Sequence, residues 1–279
     1  MTRPKDLDPS SNPRALLGCE LRHARERAGL SQDALGAPLF VSGSFIGQLE
    51  AGTRRMHLEY AHHFDEVLGT GGFFTRNCKA VAKSKYPDHF AEAAEAEAVA
   101  TAIKQYATLL IPGLLQTGAY AKEIFRAYHP TATDDAINTQ VEVRLERARL
   151  LDDPTTPLLW AIVDEAALRR AVGGGAVMAE ALRHVAVLAR KHRVIVQVLP
   201  FDAGAHAAME GHLKLMEFED APPLSFVEGP NMGQLLDDPA TVTRHALMFN
   251  LLQAAALSPK ESLALVESVA QDYEYGEHP

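Results

Sequence analysis

Apolar residues between positions 14 and 68 recur at helical spacing in short runs that end at glycine or proline. In the first run, Leu17, Leu21 and Ala24 fall on one face, Arg25 falls outside it, and Gly29 ends the pattern. This periodicity is typical of an amphipathic helix with a glycine stop. The whole segment predicts four to five short helices, the fourth over about 57 to 68.

Two serines mark the expected starts of the second and third helices. Ser31 precedes QDAL and Ser42 precedes GSFIGQLE, and serine is a preferred N-cap residue. The stretch between them is too short for a long helix, and we expect its Phe40 to be an apolar anchor alongside Leu35 and Leu39. Two short helices joined by a tight turn predict a helix-turn-helix, which presents one helix to the DNA major groove.

The pattern LSQDAL…VSGSFIGQLEAGTRR resembles the Cro/CI-type helix-turn-helix of the XRE (xenobiotic response element) regulator family. The spacing from Gln32 to Glu50 matches that family without a gap. The resemblance implies that Gln32 meets a DNA phosphate at the N-terminus of the second helix. Glu50 is interpreted as a structural residue within the fold.

The same resemblance implies contacts for the third helix and the turn after it. Ser42, Ser44 and Gln48 are expected on its exposed face, where they would read base edges, and the residues after the helix would grip the DNA backbone. Gly43 and Gly47 place no side chain on this helix, so we expect more weight on phosphate contacts or DNA shape. The predicted DNA-binding residues are Gln32, Ser42, Gly43, Ser44, Gln48, Thr53, Arg54 and Arg55.

The pattern changes in the second half of the chain. An Ala/Glu-rich stretch from 91 predicts a helix that becomes apolar toward Ile103 and Tyr106, and a long helix is expected over about 134 to 151. Apolar runs bounded by Pro, Gly and Asp then predict four strands, LLWAIVD, VIVQVLP, GHLKLMEFE and LSFVEG. The first two, joined by a helical crossover, indicate a parallel pair, and the later two an antiparallel hairpin. Ser258 opens a closing helix with a capping box.

These elements predict an all-α helix-turn-helix domain followed by an α+β domain with a small mixed sheet packed by helices. The expected boundaries are a disordered lead-in over 1–13, the DNA-binding domain over 14–70, a helical linker over 71–90, and a regulatory or dimerisation domain over 91–275.

Several motifs in the second half, among them YATLLIPGLLQTGAYA, RLERARLL and AALSPKES, resemble the C-terminal domain of the actinobacterial WhiJ-like regulators. Together with the helix-turn-helix, this resemblance covers about residues 14 to 272. The family is antitoxin-like, and the resemblance implies a small partner protein but no settled chemical activity. Candidate contacts for a ligand or partner are Tyr106, Gln116, Tyr120, Arg144, His206 and His212.

Catalytic and metal motifs receive little support from the sequence. His206 and His212 flank a loop without helical ligand spacing, the glycines at 173–175 lack a phosphate-loop pattern, and no G-x-S-x-G elbow occurs. We therefore predict no enzyme activity, no cofactor and no metal. An enzyme tethered to a DNA-binding module is the least favoured of three hypotheses.

Charge and cysteine content fit a regulator. The net charge is −9, with +3 on residues 1–85 and −12 on the remainder, so a mildly basic segment precedes an acidic body. The two cysteines form no C-x-x-C pattern, which favours the cytoplasm, with association to the nucleoid when DNA is bound. No run is long and apolar enough for a membrane helix.

The preferred hypothesis is a dimeric repressor or autoregulator. It would bind an inverted repeat in double-stranded DNA, and its second domain would sense a ligand or a small protein. The alternative is an antitoxin-like protein that holds a small partner, with DNA binding as autoregulation.

Overall fold

The computed structural model describes residues 9, 13–78, 86, 88–153, 155, 157–230 and 232–276. Most of the predicted lead-in over 1–13, and residues 79–85 and 87 of the predicted linker, lie outside the described residues. Two compact units are formed, unit 1 from Met1–Ala100, Met216–Ser225 and Gly233–Val242, and unit 2 from Thr101–Leu215, Phe226–Met232 and Thr243–Pro279.

Short helices dominate the first hundred residues, as the periodicity predicts. They are α1 (Pro13–Arg27), α2 (Gln32–Gly36), α3 (Gly43–Glu50), α4 (Leu58–Leu68), α5 (Phe73–Cys78) and α6 (Asp88–Glu97).

One hydrophobic cluster holds the first five of these helices together. The expected residues of α1 are buried in it, and α3 and α4 bring the aromatic and branched side chains that the apolar spacing predicts. Its members are Leu17, Leu21, Ala24, Leu35, Phe45, Ile46, Leu49, Met56, Ala61, Phe64, Leu68, Phe74 and Cys78.

The second half of the chain combines helices with strands. Its helices are α7 (Gly118–Tyr128), α8 (Asp134–Ala148), α9 (Glu165–Arg169), α10 (Gly175–Arg190), α11 (Pro239–Ala255) and α12 (Pro259–Tyr275). Its strands are β1 (Ala102–Ala107), β2 (Leu158–Asp164), β3 (Val194–Leu199), β4 (Leu213–Glu217), β5 (Leu224–Gly229) and β6 (Met232–Leu236).

The strands form one six-stranded sheet in the order β3-β2-β1-β4-β5-β6. The predicted parallel pairing of β2 with β3 is confirmed, and β1 pairs parallel with the other edge of β2. Strands β4, β5 and β6 are neighbours joined by short connections, which is the antiparallel arrangement and makes the sheet mixed. The predicted fold class is therefore confirmed.

Two elements differ from the prediction. The helix expected to continue toward Ile103 and Tyr106 ends at Glu97, and those two residues belong to β1, where both are buried. The strand β6 has no counterpart among the predicted strands. All six residues of β1 pair with β2, which supplies the hydrogen bonds that a helix would otherwise make, so sheet formation overrides the local helical preference.

Unit 2 closes with the capping box expected at α12. The Ser258 hydroxyl accepts a hydrogen bond from the backbone N of Glu261, and the Glu261 carboxylate accepts one from the backbone N of Ser258. Helix α12 packs against α10 and β3, and the Ser262 hydroxyl oxygen accepts from the backbone N of Val198 at 2.9 Å. This attaches the last helix to the sheet's edge strand.

Candidate DNA-binding site

Both serines cap the helices that the sequence assigns to them. The Ser31 hydroxyl accepts from the backbone N of Ala34 at 3.0 Å, and the Ser42 hydroxyl accepts from that of Phe45 at 3.1 Å. A short 3-10 turn over Ala37–Leu39 and a left-handed Phe40 connect α2 to α3. The result is the tight helix-turn-helix that the two caps predict.

Glycine lets α2 and α3 approach each other closely. The Gly43 backbone N donates to Asp33 Oδ1 at 2.9 Å, and a Cβ at this position would lie 2.2 Å from that oxygen. A Cβ at Gly47 would lie 3.3 Å from Gln32 Oε1. Gly43, predicted as a DNA-contact residue, is therefore buried between the two helices and serves their packing.

A buried carboxylate joins α1, α2 and the end of α3. Glu50 is 0% exposed and accepts from Arg25 Nε at 2.5 Å and from Arg25 Nη2 at 3.0 Å. The Gln32 side chain donates to the same carboxylate at 2.8 Å. The structural role predicted for Glu50 is confirmed, whereas Arg25, expected outside the core, is buried by this pairing. Its pKa is raised by the hydrogen bond to Glu50.

The predicted reading helix is accessible chiefly at its N-cap, because most residues of α3 are buried. Ser42 is exposed and Ser44 is half-buried. Gln48 is 0% exposed, so the prediction that it lies on the exposed face is wrong. Its Oε1 accepts from Arg54 Nη1 at 3.4 Å, and the turn after α3 encloses it.

The turn after α3 holds its predicted residues inside unit 1. The Thr53 hydroxyl donates to the Gln48 carbonyl at 3.1 Å and is buried, so its side chain caps the helix instead of facing a phosphate. Arg54 lies 3.3 Å from Asp237 and 4.0 Å from Glu92, with its guanidinium 4.4 Å from the Phe45 ring centroid. Arg55 is half-buried, and its charge also acts on Glu92.

Two candidate residues of unit 2 form a closed polar cluster at the carboxyl ends of the parallel strands. The Tyr106 hydroxyl donates to Asp164 at 2.9 Å and lies 3.3 Å from His206 Nε2, and His206 Nδ1 accepts from the backbone N of Ala208 at 3.3 Å. With the hydroxyl proton directed to Asp164, the imidazole Nε2–H donates to the hydroxyl oxygen. Burial, and then the hydrogen bond to Asp164, raise the pKa of Tyr106.

A second group of candidates fixes the chain before α7. Gln116 donates to the Ile111 carbonyl at 2.7 Å, and the Tyr120 hydroxyl accepts from the Ile111 backbone N at 3.2 Å. Arg144 donates to Gln116 Oε1 at 2.6 Å. The structure therefore brings Gln116, Tyr120 and Arg144 together, as partners of one another and of the backbone.

The last candidate, His212, lies apart from both groups with its ring 3.2 Å from the Thr108 hydroxyl. Burial lowers its pKa, which favours the neutral ring. A cavity of about 320 Å³ opens next to Gln116 and is also lined by Thr117, Arg149 and His184.

Comparison with protein-family models identifies both halves of the chain. A helix-turn-helix domain matches residues 16–72, and the domain of unknown function DUF5753 matches residues 90–268, which is more than half of the chain. The chain belongs to the DUF5753 family. No curated protein and no solved structure is significantly similar to it.

The helix-turn-helix match assigns this DUF5753 protein to the regulators that bind DNA through such a domain. It agrees with the geometry of α2 and α3, and it points to a regulator without enzymatic function in this part of the chain. In the described part of the chain, no cluster of three or more His, Cys, Asp or Glu side chains is arranged to hold a metal ion. None of the described helices has both the length and the apolar character needed to span a membrane.

Phe40 is a surface feature of the DUF5753 protein that the sequence pattern did not reveal. The residue was expected as a buried anchor, but it is 98% exposed and has a φ of 55°. A left-handed conformation is unfavourable for a bulky residue, and it turns this side chain away from the core. The signal in the sequence is its position directly before the Val-Ser that starts α3, where a helix-to-helix turn often needs glycine.

The His57–Glu92 pair of unit 1 gives the DUF5753 protein a pH-dependent contact. The hydrogen bond to Glu92 raises the pKa of His57. Burial raises the pKa of Glu92, but the hydrogen bond from His57 and the charge of Arg54 outweigh it and hold the pKa below its usual value.

We predict that His57→Gln lowers the melting temperature most between about pH 5 and 6. This range lies below the ordinary His pKa of 6.5, so His57 is protonated there in both the folded and the unfolded protein. A raised pKa contributes stability that is fully present below the unfolded-state value and is lost as pH rises through the folded-state value. Melting curves of the full chain from about pH 5 to 9 should therefore converge for wild type and variant at high pH. A difference that stays constant over this range would contradict the assignment.

Proposed function

We propose that the protein is a sequence-specific transcription regulator, a repressor or autoregulator of the XRE type, that inserts the start of α3 into the DNA major groove. The observation that carries the proposal is the helix-turn-helix in which α3 is capped by an exposed Ser42 and packed closely on α2 through Gly43. Recognition helices of this motif contact base edges with their N-terminal residues.

The accessible groups on this face define the expected readout. The exposed Ser42 hydroxyl can donate to or accept from several bases. The Ser44 hydroxyl has the same chemistry, but its Oγ is buried and reaches a base only after its surroundings shift. Phe40, exposed in the preceding turn, adds an apolar group of the kind that contacts a thymine methyl. Arg54 and Arg55 follow α3 and are the proposed phosphate contacts, together with the half-buried Gln32 at the start of α2. Gln48 is buried and becomes available only if the arrangement of unit 1 changes.

Assembly as a homodimer is part of this proposal. A single short helix with two glycines makes few base contacts, and two copies on an inverted repeat double them. Helix α11 supports the idea because Leu247 and Leu251, one turn apart, are each more than half exposed. We expect a second copy of this chain to cover that face.

The proposed regulator family is that of the actinobacterial WhiJ-like regulators, which the sequence resembles. The proposed location is the cytoplasm, with association to the nucleoid when DNA is bound. Sensing of a ligand or small protein by the second domain belongs to the same proposal, with the cavity next to Gln116 as the place to test. The candidates Tyr106, His206, Gln116 and Arg144 are bonded to one another or to backbone in the described residues. The antitoxin-like alternative has no specific contact in its favour among the described residues, and regulation is therefore the primary proposal.

Replacing Arg54 and Arg55 together by alanine is expected to weaken binding to all DNA sequences. Each lost phosphate contact should flatten the slope of log affinity against log salt by about one unit. Titrations of the full chain with DNA selected from a random pool, at several salt concentrations, measure both effects.

The matched control is Lys191→Ala with Lys260→Ala, which removes the same charge from exposed positions of unit 2. If the Arg54/Arg55 variant keeps the wild-type affinity and salt slope, the proposed docking face is wrong.

A further inference from the structure

Carboxylates occupy the side of unit 1 where the proposed phosphate contacts lie. Glu92 and Glu95 come from α6, and Asp237 follows β6. Asp237 lies 3.3 Å from Arg54, and Glu95 lies 3.6 Å from Arg14. Glu92 forms a hydrogen bond with the His57 ring. We call these three acidic residues the acidic cover.

The acidic cover belongs to the same compact unit as the helix-turn-helix, although its residues come from distant parts of the chain. Its charges act on basic groups of several elements: Arg14 of α1, Arg54 and Arg55 of the turn after α3, and His57 at the start of α4. Glu59 is a further acid facing His57. The cover therefore neutralises the cations nearest to the end of the recognition helix.

We propose that the acidic cover is an autoinhibitory contact that takes the place of DNA phosphates and must be displaced before the protein binds DNA fully. This inference rests on the proposed function and concerns the regulation of the same site. The Arg54 guanidinium lies 3.3 Å from Asp237, so a phosphate that takes this position replaces the carboxylate as its charge partner. Cover and DNA therefore compete for one cation.

Two polar side chains of the recognition helix support a covered state. Gln48 Nε2 and Ser44 Oγ are buried and have no hydrogen-bond partner among the described residues. Leaving a buried donor or acceptor unsatisfied costs free energy, which makes this arrangement less favourable than a fully paired core. Gln48 also accepts from Arg54, the arginine that lies 3.3 Å from Asp237, so this side chain is linked to the cover through one residue.

The physical consequence is a coupling between the cover and DNA. If the protein has a covered form and an open form, its apparent affinity for DNA equals the affinity of the open form multiplied by the fraction of molecules that are open. Anything that removes charge from Glu92 or Asp237, or that binds these acids in place of Arg54, shifts the population to the open form. A coupling of the ordinary size between two sites corresponds to about 5- to 150-fold in affinity.

The test is a full-length Glu92→Gln/Asp237→Asn variant, whose side chains keep their shape and lose two negative charges. We expect it to bind DNA selected from a random pool at least about fivefold more tightly than wild type. The matched control is Glu20→Gln/Glu66→Gln, which changes the net charge equally at exposed positions of α1 and α4 outside the cover. The control should gain clearly less affinity.

Hydrogen exchange without DNA gives a second readout. Backbone amides at the end of α3 and in the turn through Arg55 should exchange faster in the cover variant than in wild type or in the control, because opening becomes more frequent.

Equal affinity of wild type and cover variant, or an equal gain in the control, would overturn the inference and leave the proposed function intact. Unchanged exchange of α3 in the cover variant would also count against it. If neither wild type nor the cover variant binds any DNA sequence, the proposed function fails and the inference with it.

Discussion

Replacing Glu50 by alanine is expected to destabilise unit 1 by about 3 to 5 kcal/mol. The carboxylate is fully buried, and its two oxygens accept from Arg25 and Gln32. Removing it leaves the buried Arg25 guanidinium without its main partner, and an uncompensated buried charge costs several times more than the loss of an exposed ion pair. The same change also frees Gln32, so α2 loses its side-chain link to the end of α3.

Urea denaturation of the full chain, followed by far-UV circular dichroism, measures this loss. Glu26→Ala is the matched control, since Glu26 lies 3.6 Å from the same arginine but is exposed. It should change the free energy of unfolding by less than about 1 kcal/mol. A Glu50→Ala variant as stable as the control would show that the buried pair does not hold the three helices together.

Gly18→Ala is expected to cost about 1 to 3 kcal/mol, although alanine is the better helix former by about 1 kcal/mol. A Cβ at Gly18 would lie 2.6 Å from the Glu50 carbonyl oxygen and 2.7 Å from that of Leu49. Both are backbone atoms at the end of α3, so relief of the overlap requires α1 and α3 to move apart. Steric overlap therefore outweighs helix propensity at this position.

Gly47→Ala is the matched comparison, because its nearest neighbours are Gln32 side-chain atoms at 3.3 and 3.4 Å. A flexible side chain can shift by a few tenths of an ångström, so we expect this variant to be neutral or up to about 1 kcal/mol more stable. Comparing the urea midpoints of the two variants shows whether steric overlap or helix propensity decides the stability at each position. A Gly18→Ala variant more stable than wild type would contradict the close packing of α1 on α3.

Local signals were sufficient to predict the helix-turn-helix. Ser31 and Ser42 cap their helices with bonds that span three residues, and the apolar spacing of α1 and α4 follows from helix geometry alone. Strands β2 and β5 match their predicted runs because Pro, Gly and Asp bound them clearly. These elements depend on neighbours in sequence, which a single sequence displays.

The errors occur where distant parts of the chain meet or where a turn adopts a rare conformation. Gln48 has the spacing of a base-reading residue, but its burial depends on the packing of the whole unit, which no periodicity of α3 displays. Strand β1 follows an Ala/Glu-rich helix and becomes a strand through its pairing with β2. Phe40 points outward because of a left-handed turn at a residue other than glycine.

Selection from a random pool of double-stranded DNA with the full chain, followed by footprinting on the enriched sequence, tests the central claim most directly. We predict that one sequence is enriched and that the protein protects two inverted half-sites whose centres lie about 34 Å apart, one helical turn. Retention of the pool without enrichment of any sequence would contradict the claim that this protein reads DNA through α3.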